Sequence, residues 1–433
     1  MQNTEYSKEN MPERAVLCAL ITRERDENTV EASLCELEGL VKTAGGVCEA
    51  KLTQKAQSPD PATYFGKGKL TELEGFCLNH QATLAVFDDE LSPSQIKNIE
   101  DALIDVRVID RTMLILDIFA AHATSGEGKM QVELAQLRYT IPRLVGKGNE
   151  LSRLGGGIGT RGPGESKLET DRRHIQRRMY ALKQSIAEMK KNRETQHNRR
   201  KKSGILNVAI AGYTNAGKST LLNYLTGADI LAEDKLFATL DPTTRKYKLP
   251  CGIDILLTDT VGFISRLPHH LIDAFRSTLE EVAHADVVIV LIDASDPECE
   301  NQLEVTHKLL WDLGASHKPV IYAFNKCDRE TPNVSRVQRE NTVYISAKTG
   351  EGINSLICAL EDAATQRDTL ETFFFPLEEG GGFARLYANA VIGNFIYFDD
   401  GIQCQGIVGP RVKGMFKKYI ITGHERQAPD EGK

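Results

Sequence analysis

The amino-acid sequence predicts a multidomain α/β protein: a mostly parallel sheet with helices on both faces, preceded by a small α/β domain and an antiparallel helical hairpin, and followed by a small α+β domain. Short apolar runs alternate with helix-like segments over residues 14–123 and again over 205–366, which is typical of α/β layers. Between them, 124–202 carries two heptad seams. The 433 residues are enough for roughly two to four domains with cores of their own.

Composition excludes several classes of protein. Hydrophobic residues make up 41% of the chain and charged residues 26%, which is too apolar a balance for a disordered protein. Apolar runs such as Val287–Ile292 are far shorter than the roughly 18 residues that span a bilayer, so we expect no transmembrane segment. The nine cysteines include no CxxC pair, which favours a reducing compartment over disulfides or a structural zinc site. We therefore expect a cytoplasmic protein.

The N-terminal region, 14–123, predicts a small, largely parallel sheet. Its strands are expected at Ala15–Ile21, Val47–Leu52, Leu84–Phe87 and Val106–Ile109. Its helices are expected at Glu31–Lys42, Lys69–Asn79 and Pro93–Leu103. Strands that alternate with helices in this way are joined by crossovers, and crossovers connect parallel strands.

The next region, 124–202, predicts two helices that fold back on each other. Apolar residues recur at a 4-3-4-3 spacing in two seams, the first at Met130, Leu134, Leu137, Ile141 and Leu144 and the second at Ile175, Met179, Leu182, Ile186 and Met189. The glycine-rich segment Gly146–Gly164 joins them and would form the tip of the hairpin. Arg199–Lys202 closes the region and is interpreted as a solvated linker.

The charge of the chain is polarised around this hairpin. Between Arg143 and Lys202 there are 17 Lys or Arg residues against 6 Asp or Glu, although the whole chain has a net charge of −7. A basic segment on an otherwise acidic protein indicates an anionic partner. Alternatively, the charge only solvates the coiled coil.

Residues Gly212–Ser219 carry the pattern of a phosphate-binding loop. They read GYTNAGKS, directly follow the strand-like run Asn207–Ala211 and precede helix-favouring residues, which is the context that a P-loop requires. The glycines let backbone amides converge on phosphates, Lys218 supplies a cation and Ser219 offers a hydroxyl to Mg²⁺. A glycine-rich turn without a nucleotide is the alternative. The expected nucleotide contacts are Gly212, Tyr213, Thr214, Asn215, Ala216, Gly217, Lys218 and Ser219.

Three further motifs follow in order, each at the end of a strand-like run. In DTVG the carboxylate can help to hold Mg²⁺, and the backbone amide of the glycine can donate a hydrogen bond to a γ-phosphate. In NKCD the carboxylate can accept hydrogen bonds from the N–H groups at the edge of the guanine base, and adenine has no such donors there. The backbone of SAK is suited to bind the oxygen of the same base. These motifs comprise Asp259, Thr260, Val261, Gly262, Asn325, Lys326, Cys327, Asp328, Ser346, Ala347 and Lys348. The four motifs together predict a P-loop GTPase that converts GTP to GDP and phosphate.

The segment 236–245, between the P-loop and DTVG, has no strong helix or strand pattern. A threonine here would complete the Mg²⁺ shell when the γ-phosphate is bound, which would make the segment a switch. Thr239 is the preferred residue, and Thr243 and Thr244 are alternatives.

Catalysis is expected to depend on Lys218, Thr239 and Gly262. Many small GTPases have a water-orienting glutamine after the DxxG glycine, but here that position is Phe263. A phenylalanine cannot orient water, so we expect slow hydrolysis without a partner. The nearby Arg266, His269 and His270 are interpreted as exposed polar residues rather than catalytic ones.

Several of these segments together resemble the HflX family of translation-associated GTPases. The resemblance is carried by Leu154–Ser166 (LGGGIGTRGPGES) upstream of GYTNAGKST, FATLDPTTR and DTVGF, and by Tyr64–Lys69 (YFGKGK), and it covers about residues 14–365. The family has an N-terminal α/β subdomain, a helical hairpin, a GTPase domain and a small C-terminal domain. This organisation matches the one predicted above.

The resemblance implies binding to the large (50S) ribosomal subunit and to 70S ribosomes, which are split or rescued under stress. It implies that Phe237, Ala238, Thr239, Leu240 and Asp241 contact GTP as well, and that Ser219 and Thr239 are the Mg²⁺ ligands. On the hairpin tip, Lys147, Arg153 and Arg161 would contact ribosomal RNA. We expect the protein to act as a monomer.

Some alternatives stay open. A ribosome-assembly or RNA-modification factor would have the same GTPase domain, and so would a passive guanine-nucleotide-binding scaffold. Gly66–Lys69 could touch a phosphate, but a lysine-rich turn that begins a helix, or a contact to an RNA backbone, is the favoured interpretation. The region 370–433 predicts only a small domain that consists mostly of strands.

Overall fold

A computed structural model describes most of the chain, and the chain divides into two compact units. The described residues are 12–144, 163–203, 205–227, 236–237, 241–266, 279–315, 318–329, 341–365, 369–379, 381–388, 390–408 and 410–421. The first unit comprises Met1–Met189, Glu233–Asp241 and Ile264–Ser277. The second comprises Lys190–Ala232, Pro242–Phe263 and Thr278–Lys433. The first unit therefore includes two segments from within the predicted GTPase domain.

The first unit contains the predicted parallel sheet. Its strands are β1 (Arg14–Ile21), β2 (Val47–Lys55), β3 (Leu84–Phe87) and β4 (Arg107–Asp110), in the order β2-β1-β3-β4, and all of them pair in parallel. The helices are α1 (Glu27–Thr43), α2 (Lys67–His80), α3 (Pro93–Ala102) and α4 (Arg111–His122). The seven predicted elements are confirmed, and α4 is an addition.

Local capping explains where these helices begin. The Asp26 side chain accepts from the Thr29 amide at the start of α1, and Ser92 forms a capping box with Gln95 at the start of α3. Gly66 is the N-cap of α2, which confirms that the lysine-rich turn begins a helix. Helix α4 is apolar on most of its faces and most of its residues are buried, so it lacks the one-sided periodicity by which a surface helix is recognised.

Two helices follow the sheet, as the heptad seams predict: α5 (Gly126–Leu144) and α6 (Pro163–Ser203). Arg178 on α6 donates two hydrogen bonds to the Glu133 carboxylate on α5, at 2.6 and 2.8 Å. Leu134 and Leu182, one from each seam, are buried. Because α5 also packs against α4, its buried residues further include Val132, Ala135 and Tyr139, which lie outside the predicted seam.

The interpretation of Arg199–Lys202 as a linker is wrong, because α6 continues to Ser203. Lysine and arginine are good helix formers, and the sequence has no glycine or proline between Gly164 and Gly204. The three predicted RNA-contacting residues of the hairpin tip, Lys147, Arg153 and Arg161, lie outside the described residues.

The second unit is built on a six-stranded sheet. Its strands are β5 (Leu206–Gly212), β6 (Thr243–Lys248), β7 (Asp254–Asp259), β8 (Val287–Asp293), β9 (Val320–Asn325) and β10 (Thr342–Tyr344), in the order β10-β9-β8-β5-β7-β6. Its helices are α7 (Lys218–Thr226), α8 (Cys299–Asp312) and α9 (Ile353–Thr365). The strand pairs are parallel except for β6 with β7.

One prediction about this sheet needs correction. The segment 236–245 was expected to be irregular, but β6 begins within it at Thr243. The pairing of β6 with β7 is antiparallel and places Thr244 beside Thr258, with their hydroxyl oxygens 3.0 Å apart. The strand is exposed at the edge of the sheet, so it lacks the apolar pattern that would have predicted it.

The C-terminal part of the second unit is a small α+β layer, as predicted. The strands β11 (Thr369–Pro376), β12 (Val391–Phe398) and β13 (Gly401–Val408) form an antiparallel sheet in the order β11-β13-β12. Helices α10 (Gly381–Tyr387) and α11 (Pro410–Met415) accompany it, and Phe373, Phe375, Leu386 and Phe416 form its core. In the part of the chain that the structure describes, no helix is both long and apolar enough to cross a membrane.

Candidate functional site

The P-loop is the turn between β5 and α7, and two of its glycines are required by its shape. Gly212 and Gly217 have φ angles of +152° and +95°. A Cβ on Gly212 would lie 2.2 Å from the Leu291 carbonyl oxygen, and one on Gly217 would lie 2.4 Å from Asn325 Nδ2. No other residue type fits either position, so the loop keeps the tight path that exposes backbone amides to a phosphate.

Lys218 is buried inside this loop, with 7% of its surface exposed. Its ammonium group donates to the carbonyl oxygens of Gly212 and Tyr213, at 3.2 and 2.8 Å. Burial lowers the pKa of Lys218 to about 8, and the nearby Asp259 carboxylate offsets part of that effect. Helix α7 begins at Lys218, so the lysine cation and the positive N-terminal end of the helix lie together. Both favour the binding of an anion.

Ser219 and Asp259 supply oxygen atoms suited to Mg²⁺. The Ser219 hydroxyl donates to Asp259 Oδ2 at 2.6 Å, and Asp259 ends β7 with no exposed surface. Hydroxyl and carboxylate oxygens are hard donors, and a carboxylate that orients a metal-ligating hydroxyl is typical outer-shell support. The donor set therefore fits a magnesium ion, for which the Ser219 hydroxyl could serve as a ligand.

The DTVG segment packs directly on the P-loop through Phe263. The Phe263 amide donates to the Gly212 carbonyl at 3.0 Å, and the Thr214 amide donates to the Phe263 carbonyl at 2.7 Å. A Cβ on Gly262 would lie 2.9 Å from Lys218 Nζ and 2.8 Å from the Thr214 Cα. Gly262 therefore lies beside the ammonium group of Lys218. Sequence reasoning considered only the side chain of Phe263 and missed this backbone role.

The two base-side motifs are brought together by Asn325. Its amide nitrogen donates to the Ala216 carbonyl at 2.8 Å, and its carbonyl oxygen accepts from the Ala347 amide at 2.8 Å. Asp328 is exposed, and its carboxylate accepts from the Ser346 hydroxyl at 2.7 Å, which holds the pKa of Asp328 below its usual value. Asp328 thus presents an ionised, oriented carboxylate, as recognition of a guanine edge requires.

The remaining residues of these motifs hold the loops in place. Thr260 Oγ1 donates to the Ile210 carbonyl at 2.8 Å, and Val261 is buried. Lys326 pairs with Asp293 at 2.7 Å, and the Cys327 amide donates to the Ile345 carbonyl at 3.2 Å. Lys348 is exposed. The P-loop, DTVG, NKCD and SAK motifs therefore lie together in the second unit.

The predicted switch residues Phe237 and Asp241 belong to the first unit. The Phe237 ring packs against Phe119, with ring centroids 4.5 Å apart. The Asp241 carboxylate accepts hydrogen bonds from Thr124 and Ser125. Ala238, Thr239 and Leu240 lie outside the described residues, so their expected contacts with GTP and Mg²⁺ stay predictions.

Arg266 is exposed, as interpreted from the sequence, and its guanidinium also forms ion pairs with Asp88 and Asp89 in the first unit. His269 and His270 lie outside the described residues. No local sequence signal could have found these ion pairs, because about 180 residues separate the partners.

Comparisons with known proteins agree with this geometry. A family model described as "50S ribosome-binding GTPase" matches residues 207–326, and models described as "GTP-binding GTPase N-terminal" and "GTP-binding GTPase Middle Region" match 31–120 and 122–200.

Curated relatives cover nearly the whole chain. "GTPase HflX" of Caldanaerobacter subterraneus subsp. tengcongensis is 49% identical, over 95% of this chain and 94% of the relative. The protein of the same name from Lacrimispora saccharolytica is 50% identical over 90% and 92%, and that from Escherichia coli is 39% identical over 92% and 93%.

Proposed function

Because the chain belongs to the HflX family of ribosome-associated GTPases, we propose that it binds the large ribosomal subunit and the 70S ribosome through its basic helical hairpin, and that GTP binding and ribosome-stimulated hydrolysis drive the splitting or rescue of ribosomes under stress. We propose that it acts in the cytoplasm as a monomer. The assembly of the four guanine-nucleotide motifs around Lys218 and Asn325 supports the GTPase part of the proposal, and membership of the family supports the ribosome part.

Each residue of the site has its own proposed role in GTP hydrolysis. Lys218 and the start of α7 would bind the β- and γ-phosphates, Ser219 would hold Mg²⁺ with the support of Asp259, and Gly262 would offer its amide to the γ-phosphate. Bound Mg²⁺ would neutralise charge that develops on the phosphate oxygens. The Phe263 side chain is 3% exposed and has no group that could orient water. Hydrolysis by the free protein is therefore expected to be slow, and a partner must complete the site.

The hairpin supports ribosome binding by its charge. The exposed side chains of α6 include Arg172, Arg177 and Lys183, and the predicted tip carries Arg153 and Arg161. Ribosomal RNA is a dense polyanion, and contacts from Lys and Arg release its counterions. Binding through the hairpin should therefore weaken steeply as the salt concentration rises.

The nucleotide and the ribosome are linked sites in this proposal. GTP orders Thr239 and the segment after Gly262, and that arrangement favours the subunit-bound form. Hydrolysis then releases the protein. By thermodynamic reciprocity, if GTP tightens ribosome binding, the ribosome must tighten GTP binding by the same factor. Measuring GTP affinity with and without 50S subunits tests this linkage.

Co-sedimentation with purified 30S, 50S and 70S particles in GTP, GDP and a non-hydrolysable analogue tests the proposed function, with phosphate release followed in parallel. Arg153→Ala combined with Arg161→Ala should weaken pelleting with 50S and leave GTP affinity intact. The matched control combines Arg23→Ala with Arg245→Ala, two exposed arginines outside the hairpin.

Two outcomes would contradict the proposal. Equal binding of the hairpin variant and the wild type across a salt series would remove the hairpin from its role. Accumulation of immature subunit precursors in a deletion strain, without stalled intact ribosomes, would instead support a ribosome-assembly or RNA-modification factor.

A further inference from the structure

Arg266 ties the segment after the DTVG motif to the N-terminal sheet. The division between the two units falls between Phe263 and Ile264, so Arg266 follows the P-loop partner Phe263 by three residues but belongs to the first unit. Its guanidinium pairs with Asp88 at 2.8 Å and with Asp89 at 2.5 Å. Only three positions along the backbone therefore separate Phe263 from the residue that forms this ion pair.

The two aspartates occupy the position where an α/β sheet normally binds a ligand. They directly follow β3, and the strand order β2-β1-β3-β4 reverses direction between β1 and β3. Crevices at the carboxyl ends of strands at such a reversal are the usual ligand sites of open α/β sheets. In this chain the Arg266 side chain lies at that position.

Arg266 belongs to a cluster of oppositely charged side chains in the first unit. Three carboxylates (Glu36, Asp88 and Asp89) lie among three guanidinium groups (Arg25, Arg111 and Arg266). Asp88 is 2% exposed, and a buried carboxylate is costly unless it is paired. Removing Arg266 would take away one of the cations that pair with Asp88 and Asp89.

The residue before Arg266 is held by the same cluster. The Ser265 hydroxyl donates to Glu36, and the Ser265 carbonyl accepts from Arg111 at 3.3 Å. Arg111 in turn pairs with Glu36 at 2.7 Å. Backbone and side chain of the segment 265–266 are therefore both anchored.

A second anchor holds the other switch segment. Both oxygens of Asp241 accept hydrogen bonds from Thr124 and Ser125, two from backbone amides and two from hydroxyls, at 2.5–3.1 Å. These donors lie immediately before α5, where the positive end of the helix also favours a carboxylate. Burial raises the pKa of Asp241, but these hydrogen bonds outweigh it and hold the pKa below its usual value.

We propose that Arg266 and the Thr124–Ser125 pair are positioning residues that couple the nucleotide state of the GTPase site to the N-terminal sheet, each through its own switch segment. The inference rests on the proposed function, because it requires both segments to rearrange around the γ-phosphate. Asp88 is buried and Arg266 is one of its cationic partners, so we expect the anchored parts of the first unit to follow the segments when these rearrange.

Hydrogen–deuterium exchange of the free full-length protein tests the coupling. Adding a non-hydrolysable GTP analogue instead of GDP should change exchange in a peptide over 84–92, after β3, and in one over 122–128, before α5, by about fivefold or more. Arg266→Gln should abolish the change at 84–92 and preserve it at 122–128. Thr124→Val combined with Ser125→Ala should do the reverse, so each variant is the control for the other.

Further variants separate coupling from stability. Arg266→Lys keeps the charge and should restore the response at 84–92, whereas Asp89→Asn should reproduce the loss. GDP affinity should stay within about twofold of wild type in all of them, since none of these residues is in the guanine-nucleotide motifs. Because no ribosome is present, a failure here is distinguishable from a failure of ribosome binding. An unchanged response in Arg266→Gln, or no nucleotide-dependent change in the wild-type peptides, would overturn the inference.

Discussion

The side-chain amide of Asn325 donates a hydrogen bond to the carbonyl oxygen of Ala216 at 2.8 Å and so connects the base-side motif to the phosphate-binding loop. The same side chain accepts from the Ala347 amide. Because Asn325 is buried, neither partner could turn to water instead if the side chain were removed. Asn325 therefore connects the P-loop, the NKCD loop and the SAK loop.

Asn325→Ala should weaken GTP and GDP binding together, by about 10- to 100-fold, because each buried group left without a partner costs about 1–3 kcal/mol. The unfolding temperature should fall as well. Titration with fluorescent GTP and GDP, together with calorimetry, measures both effects. Asn301→Ala, an exposed asparagine on α8, is the control and should change neither. Unaltered affinity for both nucleotides would contradict the role of Asn325 in connecting the three loops.

Asp328→Asn should shift the base preference from guanine towards xanthine by about 100-fold or more, because the amide presents a donor where the carboxylate accepted. The variant keeps an oxygen that can accept from Ser346, so the loop should keep its geometry. Competition between GTP and XTP measures the change, with the exposed Asp312→Asn as control. Retained guanine selectivity would remove Asp328 from base recognition.

Gly262→Ala should reduce GTP hydrolysis by about 100-fold, because the added Cβ would displace Lys218 Nζ or the Thr214 backbone from the phosphate-binding position. Phosphate release under saturating GTP is the measurement. Gly75→Ala, in α2, meets no atom within 4 Å and is the control for the substitution itself. Normal turnover in Gly262→Ala would contradict the close packing of DTVG on the P-loop.

Arg266→Gln should destabilise the protein in a pH-dependent manner. Burial raises the pKa of Asp88, but Arg111, Arg266 and Arg25 outweigh it and hold the pKa below its usual value. A carboxylate with a lowered pKa adds stability above its unfolded-state pKa, about 3.9, and that stability is lost as the pH falls through the folded-state pKa. Ser33, which donates to Asp88, and the neighbouring Glu36 and Asp89 are unchanged in the variant.

The difference in unfolding temperature between wild type and Arg266→Gln should therefore be largest at neutral pH and shrink below about pH 4. Thermal unfolding from pH 7 to pH 3 at low ionic strength measures it. Arg23→Gln, an exposed arginine near the same sheet, should show no such pH dependence. A difference that stays constant down to pH 3 would mean that Arg266 stabilises the protein by packing rather than by its charge.

Features that depend on neighbouring residues were predictable from the sequence. The seven predicted strands and helices of the N-terminal sheet, the strand before each guanine-nucleotide motif and the helix at Lys218 all follow from short apolar patterns and turn residues. Where local patterns are weak, the predictions failed: the exposed edge strand β6 begins inside a segment expected to be irregular, and Arg199–Lys202 extends a helix instead of ending it.

Contacts between residues far apart in the chain were decided only by the tertiary structure. Arg266 meets Asp88 across 178 residues, and Ser125 meets Asp241 across 116. Composition reveals the charges but not their partners, because each arginine and each carboxylate has many candidates of the opposite sign. The partners are selected when the sheet folds and buries Asp88, since a charge without water must be matched by whichever opposite charge the fold brings to it.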